Sequence, residues 1–387
     1  MFNDLRIHLS IIMYMIGCFS IMIYNMFVIY RKRNRAKAMK KNTAGWIKTI
    51  HQQLAANNSN ICPKHKKHLL KSLIRTGELI AFSHALKFFN RGDSKDLYKA
   101  YVRLLAQSTI FQQLALVYKK KKNAERAYFA YFISIHPLVV KSEDIICKNT
   151  TDTMVSFTKN ADIYCRVNVL KALCKLGDLH GLVSVLQLYS NKAAFIHHKL
   201  LAEDLYNFAG DKDKLALKLW ENYKLWSNNI LLGVITFITI FSDMFKTAFL
   251  PVLQNQYASI DIRIALIHYY KKYIYEPALP IMLEYLTQTK SYELAIAAAT
   301  TLSAYPGRPT TNALTSALES ENWYVRYSAV SSLVELDAYP MGVSLQGVRP
   351  DMFINNAQSR DSNVQQMIEY KLDHANEKYV NASEVII

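Results

Sequence analysis

Glycine and proline are scarce in this 387-residue chain, at 11 and 9 residues, which excludes collagen-like and low-complexity disordered classes. Cysteine is also sparse. Cys18, Cys62, Cys147, Cys165 and Cys174 are odd in number and scattered, so no secreted disulfide framework is implied and a reducing compartment fits. There is no glycine-rich phosphate loop, no Gly-x-Ser-x-Gly elbow and no His-Glu-x-x-His motif. What is present is apolar: 51% hydrophobic residues, with 25 Tyr and 17 Phe, enough at this length for a sizeable core in two or three domains.

The formal charge is +17, from 47 Lys and Arg against 30 Asp and Glu. A balance so basic suggests nucleic acid until the charges are located. Residues 31–122 carry 22 bases and three acids, Glu78, Asp93 and Asp96, whereas residues 123–387 carry 24 bases and 26 acids. The C-terminal two thirds therefore shows no basic stripe, and nucleic acid is disfavoured as a partner.

Residues 8–30 run 23 positions without a formal charge, counting histidine as neutral. As a helix they would span about 35 Å, enough for a hydrocarbon core of about 30 Å. A cleaved signal peptide would need a shorter apolar region and a small-residue cleavage site; here the run ends in Arg31, Lys32, Arg33 and Arg35. With Lys37, Lys40 and Lys41 these bases predict a single span in the cell inner (plasma) membrane, its N-terminus outside and the rest cytoplasmic. Tyr24, Tyr30 and Trp46 are placed for the headgroup layer. The apolar stretches 230–241 and 128–140 are too short to span and predict buried helices.

Residues 31–122 read as a basic juxtamembrane helical region. Ile47, Ile50 and Leu54, then Leu69, Leu70, Leu73, Ile74, Leu79 and Ile80, recur at helical spacing, with Pro63 suited to a first turn. A break is expected at 57–60, and further helices over 82–89 and 97–117. Lys119, Lys120, Lys121 and Lys122 form a run that reads as a solvated loop or as a contact to an anionic lipid surface or acidic partner, as do Lys64, Lys66, Lys67 and Lys71.

From residue 123 the pattern becomes periodic. A polar cap is followed by an apolar residue at +3, Arg at +4, and apolar residues at +7 and +11. Asp162, Cys165, Arg166, Val169 and Leu173 fit it; so do Ser259, Ile262, Arg263, Leu266 and Tyr270, and Asn322, Val325, Arg326, Ala329 and Leu333. Copies starting at Ser227, Ser291 and Asp361 carry Leu231, Ala295 and Gln365 in the Arg slot. Starts at 227, 259, 291, 322 and 361 are 32, 32, 31 and 39 residues apart, with a degenerate copy expected over 191–206. Such a period marks stacked helix pairs, the cap closing a helix N-terminus and the apolar positions meeting the next repeat. Arg166, Arg263 and Arg326 are read as structural, bonding a neighbour's cap or carbonyls. Residues 341–350 read as an insertion loop and 376–387 as a tail.

The pattern resembles bacterial HEAT repeats, whose second helix reads Asp-x-x-Val-Arg-x-x-Ala-x-x-x-Leu. The resemblance covers about residues 123–375 and implies an all-α chain: one transmembrane helix, then a HEAT-like α-solenoid. Iron enzymes of the deoxyhypusine hydroxylase type share such folds, but their His-Glu pairs are missing here. Solenoid DNA glycosylases also resemble the fold class; the anchor and the neutral repeat region weigh against that kinship. Cys62, His65 and His68 are three ligand types at three-residue steps, opposed by the surrounding lysines and the lack of a fourth ligand. Trp220, Trp226 and Trp323 suit packing or a partner interface. The expectation is a binding protein without metal or cofactor, engaging a membrane-associated protein partner. Its architecture is similar to that of accessory proteins of envelope glycosyltransferase systems, with an enzyme site in a concave groove as the alternative.

A chain lacking residues 1–41 should sediment with anionic liposomes and be released by high salt. Equal recovery on neutral liposomes would contradict the reading of the basic region.

Overall fold

A computed structural model describes residues 2–338, apart from 56–59, 92–93, 137, 139–144 and 192–194. The expected insertion loop 341–350, the repeat copy at 361–372, the tail 376–387 and the Cys147 side chain lie outside the described residues. All regular structure among the described residues is helical.

Helix α1, Phe2–Ala55, is 54 residues long. It extends about 81 Å and joins the apolar run and the basic run without a break. It is long and apolar enough to cross a membrane, and it is unburied over its apolar window. Ser20 lies in that window, and its hydroxyl donates to the Ile16 carbonyl at 2.8 Å, so it is satisfied within the helix.

The chain divides into two compact units, Met1–Val185 with Asn207–Asp211, and Leu186–Tyr206 with Lys212–Ile387. The first holds α1, α2 (Pro63–Leu73), α3 (Thr76–Phe89), α4 (Lys95–Ala106), α5 (Ile110–Lys119), α6 (Asn123–Ile135), α7 (Ile145–Phe157) and α8 (Ile163–Leu176). Two breaks here are invisible to glycine and proline. At 107–109 the Ser108 hydroxyl bonds the Leu105 carbonyl at 2.6 Å, splitting the expected 97–117 helix. At Ile74 and Arg75 the freed carbonyls of α2 are satisfied from far away in sequence: the Tyr118 hydroxyl donates to Leu73 at 2.9 Å and Lys121 Nζ to Ile74 at 2.5 Å. Gly177 ends α8 with φ 72°, and a Cβ there would sit 3.2 Å from the Gly210 backbone, so only glycine fits.

Helix α9, Leu179–Asn191, crosses the boundary between the units. The second unit then holds α10 (His198–Tyr206), α11 (Lys212–Glu221), α12 (Asn228–Phe241), α13 (Lys246–Gln254), α14 (Ile260–Lys272), α15 (Leu279–Thr287), α16 (Tyr292–Leu302), α17 (Arg308–Ala317) and α18 (Trp323–Ala338). Helices two apart pack on one another: α10 on α12, α12 on α14, α14 on α16, α16 on α18, and α15 on α17. Helix α10 takes the place of the degenerate copy. Gly233 lets α12 approach it closely, since a Cβ there would lie 2.7 Å from Leu201 Cδ2.

Cross-ties recur at separations of 32, 35 and 33 residues. The Tyr285 hydroxyl donates to the Leu253 carbonyl, Tyr305 to Tyr270 and Ser332 to Ala299, at 2.5, 2.9 and 2.7 Å. Each buried hydroxyl closes a backbone acceptor that would otherwise be lost from water. Helix α12 buries Ile230, Val234, Ile235, Phe237 and Ile238, in keeping with a core helix and not a span.

Two buried histidines make the first unit acid-sensitive. His65 Nε2 meets the Tyr101 hydroxyl at 2.7 Å; His136 meets Ser83 Oγ at 3.1 Å and the Tyr98 hydroxyl at 3.2 Å. Burial pushes both down to about 4, helped by the nearby His68 and Lys87 charges. Their neutral forms are favoured in the folded state, so stability is intact above about pH 6.5 and falls as pH drops toward 4. Each contributes on the order of 3 kcal/mol to that loss. Denaturant midpoints should decline from about pH 7 to pH 5, and His136→Gln should flatten the decline. A midpoint independent of pH over that window would contradict it.

Candidate functional site

The bases at 31–41 lie on α1 beyond the apolar run. Arg31, Lys32, Arg33, Arg35, Lys37, Lys40 and Lys41 are all exposed. At 100° per residue they point to all sides of the helix. The Arg31 guanidinium sits 4.7 Å from the Phe27 ring centroid.

Packing begins at Asn42. Trp46 is 3% exposed, so it does not lie in the headgroup layer as the sequence suggested. Its ring meets His68 and Phe82 at 5.0 and 5.1 Å, and its Nε1 donates to Glu78 at 3.0 Å, while Asn42 donates to the same carboxylate at 2.9 Å. Tertiary burial outweighs interfacial preference because the α3 face offers both apolar surface and an acceptor.

These contacts give the helices of the first unit their directions. Gln53 Oε1 accepts from the Cys62 amide and Trp46 meets His68, so α2 runs back toward the apolar run. Glu78 lies beside Asn42 and Phe89 beside His51, so α3 runs away from it. Tyr118 and Lys121 reach Leu73 and Ile74, Thr76 donates to Glu125, and Asn123 donates to the Asn160 carbonyl. The α2–α3, α5–α6 and α7–α8 turns thus share the end of the unit from which the apolar part of α1 emerges.

That end is basic. Lys71, Arg75, Lys119, Lys120, Lys122 and Lys159 are exposed there. Its acids are engaged: Glu78 by Trp46 and Asn42, Asp162 as the cap of α8, and Glu125 by Lys121 at 3.0 Å, which holds that carboxyl below its usual range. Lys121 therefore differs from the other lysines of its run. It bonds Ile74 and Glu125 and lies 4.6 Å from the Tyr118 ring centroid.

Asp162, Ser259, Ser291 and Asn322 cap α8, α14, α16 and α18, whereas Ser227 makes no side-chain cap bond. Arg166 donates to Ala161, and Arg326 to Ser320 and Glu321, all carbonyls of the turn before their own helix and not of a neighbouring repeat. Arg263 lies 5.6 Å from the Tyr285 ring centroid. Arg126 of α6 occupies the same slot; like the other three it buries its Nε, and it donates to Asn123 Oδ1. Sequence spacing missed it because Glu125 stands where the pattern requires an apolar residue.

In the second unit a groove of about 690 Å³ runs along α10, α12 and α14, lined among others by His198, Asn229, Asp261, His268 and Lys272. Burial lowers His268 and His198 from the ordinary imidazole range. Lys272 closes the end of α12, donating to Thr239 and Ile240 at 2.8 and 2.7 Å. Among the described residues no three His, Cys, Asp or Glu side chains converge as a metal set. Within the Cys62, His65 and His68 trio, His65 is bonded to Tyr101 and His68 packs on Trp46. Trp226 is buried and bonds Leu219, Trp220 stacks on Tyr223, and Trp323 is 44% exposed.

No protein-family model, curated protein or solved structure matches this sequence.

Trp46→Ala should destabilise the first unit by about 3–5 kcal/mol, by opening a cavity and leaving Glu78 with one donor fewer. Chemical unfolding of the detergent-solubilised protein reads this directly; an unchanged midpoint would show that α1 is not part of that core.

Proposed function

We propose that the protein is a single-pass scaffold of the plasma membrane, N-terminus outside, whose helical-repeat surface binds a membrane-associated protein partner in the cytoplasm. The observation that carries this reading is α1 itself, one helix that is lipid-compatible at its N-terminal part and core-forming at the other end. The bases after the apolar run support the orientation. The solenoid reading, and with it the likeness to HEAT repeats, is supported by the alternate-helix packing, four side-chain caps in phase and cross-ties at one repeat's separation. Stacked helix pairs expose long surfaces suited to binding. Service to an envelope glycosyltransferase system rests on architecture alone.

A second reading is an enzyme or small-ligand site in the α10–α12–α14 groove, where two imidazoles and a carboxylate line one cavity.

Affinity purification in mild detergent should recover a stoichiometric membrane or envelope protein, retained after nuclease treatment. Recovery of the chain alone would remove the scaffold reading's support, and turnover blocked by His268→Ala would favour the second.

A further inference from the structure

The basic end of the first unit is assembled from three stretches of sequence, around Lys71, Lys119 and Lys159, that share no local motif. The Trp46–Glu78 contact sets its place along α1. Asn42, level with these turns, lies twelve residues beyond Tyr30, about 18 Å further along the helix. The headgroup layer takes up about 5–7 Å of that. What remains is about 11–13 Å, roughly one and a half Debye lengths at physiological salt, and a span tilted by about 20° shortens it on one side. The six exposed cations at this end outnumber its three carboxylates, Glu78, Glu125 and Asp162, each of which is held within the unit and one of which, Glu125, is paired with Lys121.

We propose that the end of the first unit carrying Lys71, Arg75, Lys119, Lys120, Lys122 and Lys159 seats on the anionic lipid surface of the bilayer that α1 crosses. The seating rests on α1 being a span. It adds a second, electrostatic attachment that holds the unit against the leaflet instead of leaving it to swing on a single rod. The bilayer is favoured over a soluble acidic partner because α1 holds this end beside it at a fixed distance.

The test is amine acylation of the full-length protein in lipid nanodiscs, either of phosphatidylcholine alone or with about one third phosphatidylglycerol, read by peptide mass spectrometry. In anionic discs Lys71, Lys119, Lys120, Lys122 and Lys159 should react at least about threefold more slowly than in neutral discs, and about 0.5 M salt should abolish the difference. Lys95 and Lys175, toward the opposite end, should react alike in both. Equal rates at the five lysines, protection that survives salt, or equal protection of Lys95 and Lys175 would each overturn the seating. Protein that never co-elutes with the discs would refute the span instead, a separate and recognisable failure.

Discussion

The structure of the first unit depends on one buried contact, the Trp46 indole against Phe82 and Glu78. It turns the last part of a 54-residue helix into the opening helix of a packed unit. Without it, α1 would be a rod tethered to a domain; with it, the apolar run and the hydrophobic core share one rigid backbone. The directions of α2 and α3 are then tied to that of α1, and the contacts of Leu73, Ile74 and Thr76 bring the α5–α6 turn to the end where the apolar run emerges.

Beyond that contact, cohesion comes from side chains that reach across to the backbone of other helices. Tyrosine is the main one. Tyr118, Tyr285 and Tyr305 bury large rings and spend their hydroxyls on carbonyls 45, 32 and 35 residues away. Burial pushes the Tyr118 and Tyr305 hydroxyls up to about 12, so they remain neutral donors at any physiological pH. The abundance of tyrosine in the composition thus has a structural use. Arg166 and Arg326 add shorter ties to the turn before their own helix, whereas Arg263 lies against the Tyr285 ring.

Much of the helical organisation was legible in the sequence. Caps at Asp162, Ser259, Ser291 and Asn322 were readable because a cap bond spans three residues and leaves a local signature. The candidate site was legible only in part. The lysine run at 119–122 stood out, but nothing in its neighbourhood separates Lys121, which secures α2, from Lys119, Lys120 and Lys122, which face solvent. Trp46 was misplaced because an aromatic just past an apolar run looks alike whether it meets headgroups or a core. The breaks at 74–75 and 107–109 escaped notice because they use ordinary residues whose backbone is satisfied by other side chains.

The sequence by itself determined the local and periodic features: one apolar run long enough to span, a basic region after it, and amphipathic helices with a repeat near 32 residues. These follow from spacing, which hydrophobic burial and helix geometry translate directly into structure. Only the tertiary structure decided that α1 continues into the core and that basic residues nearly ninety positions apart share one end. It also decided that the acids among them are already bonded. Those outcomes depend on which helix packs against which, and packing partners leave no mark in local spacing.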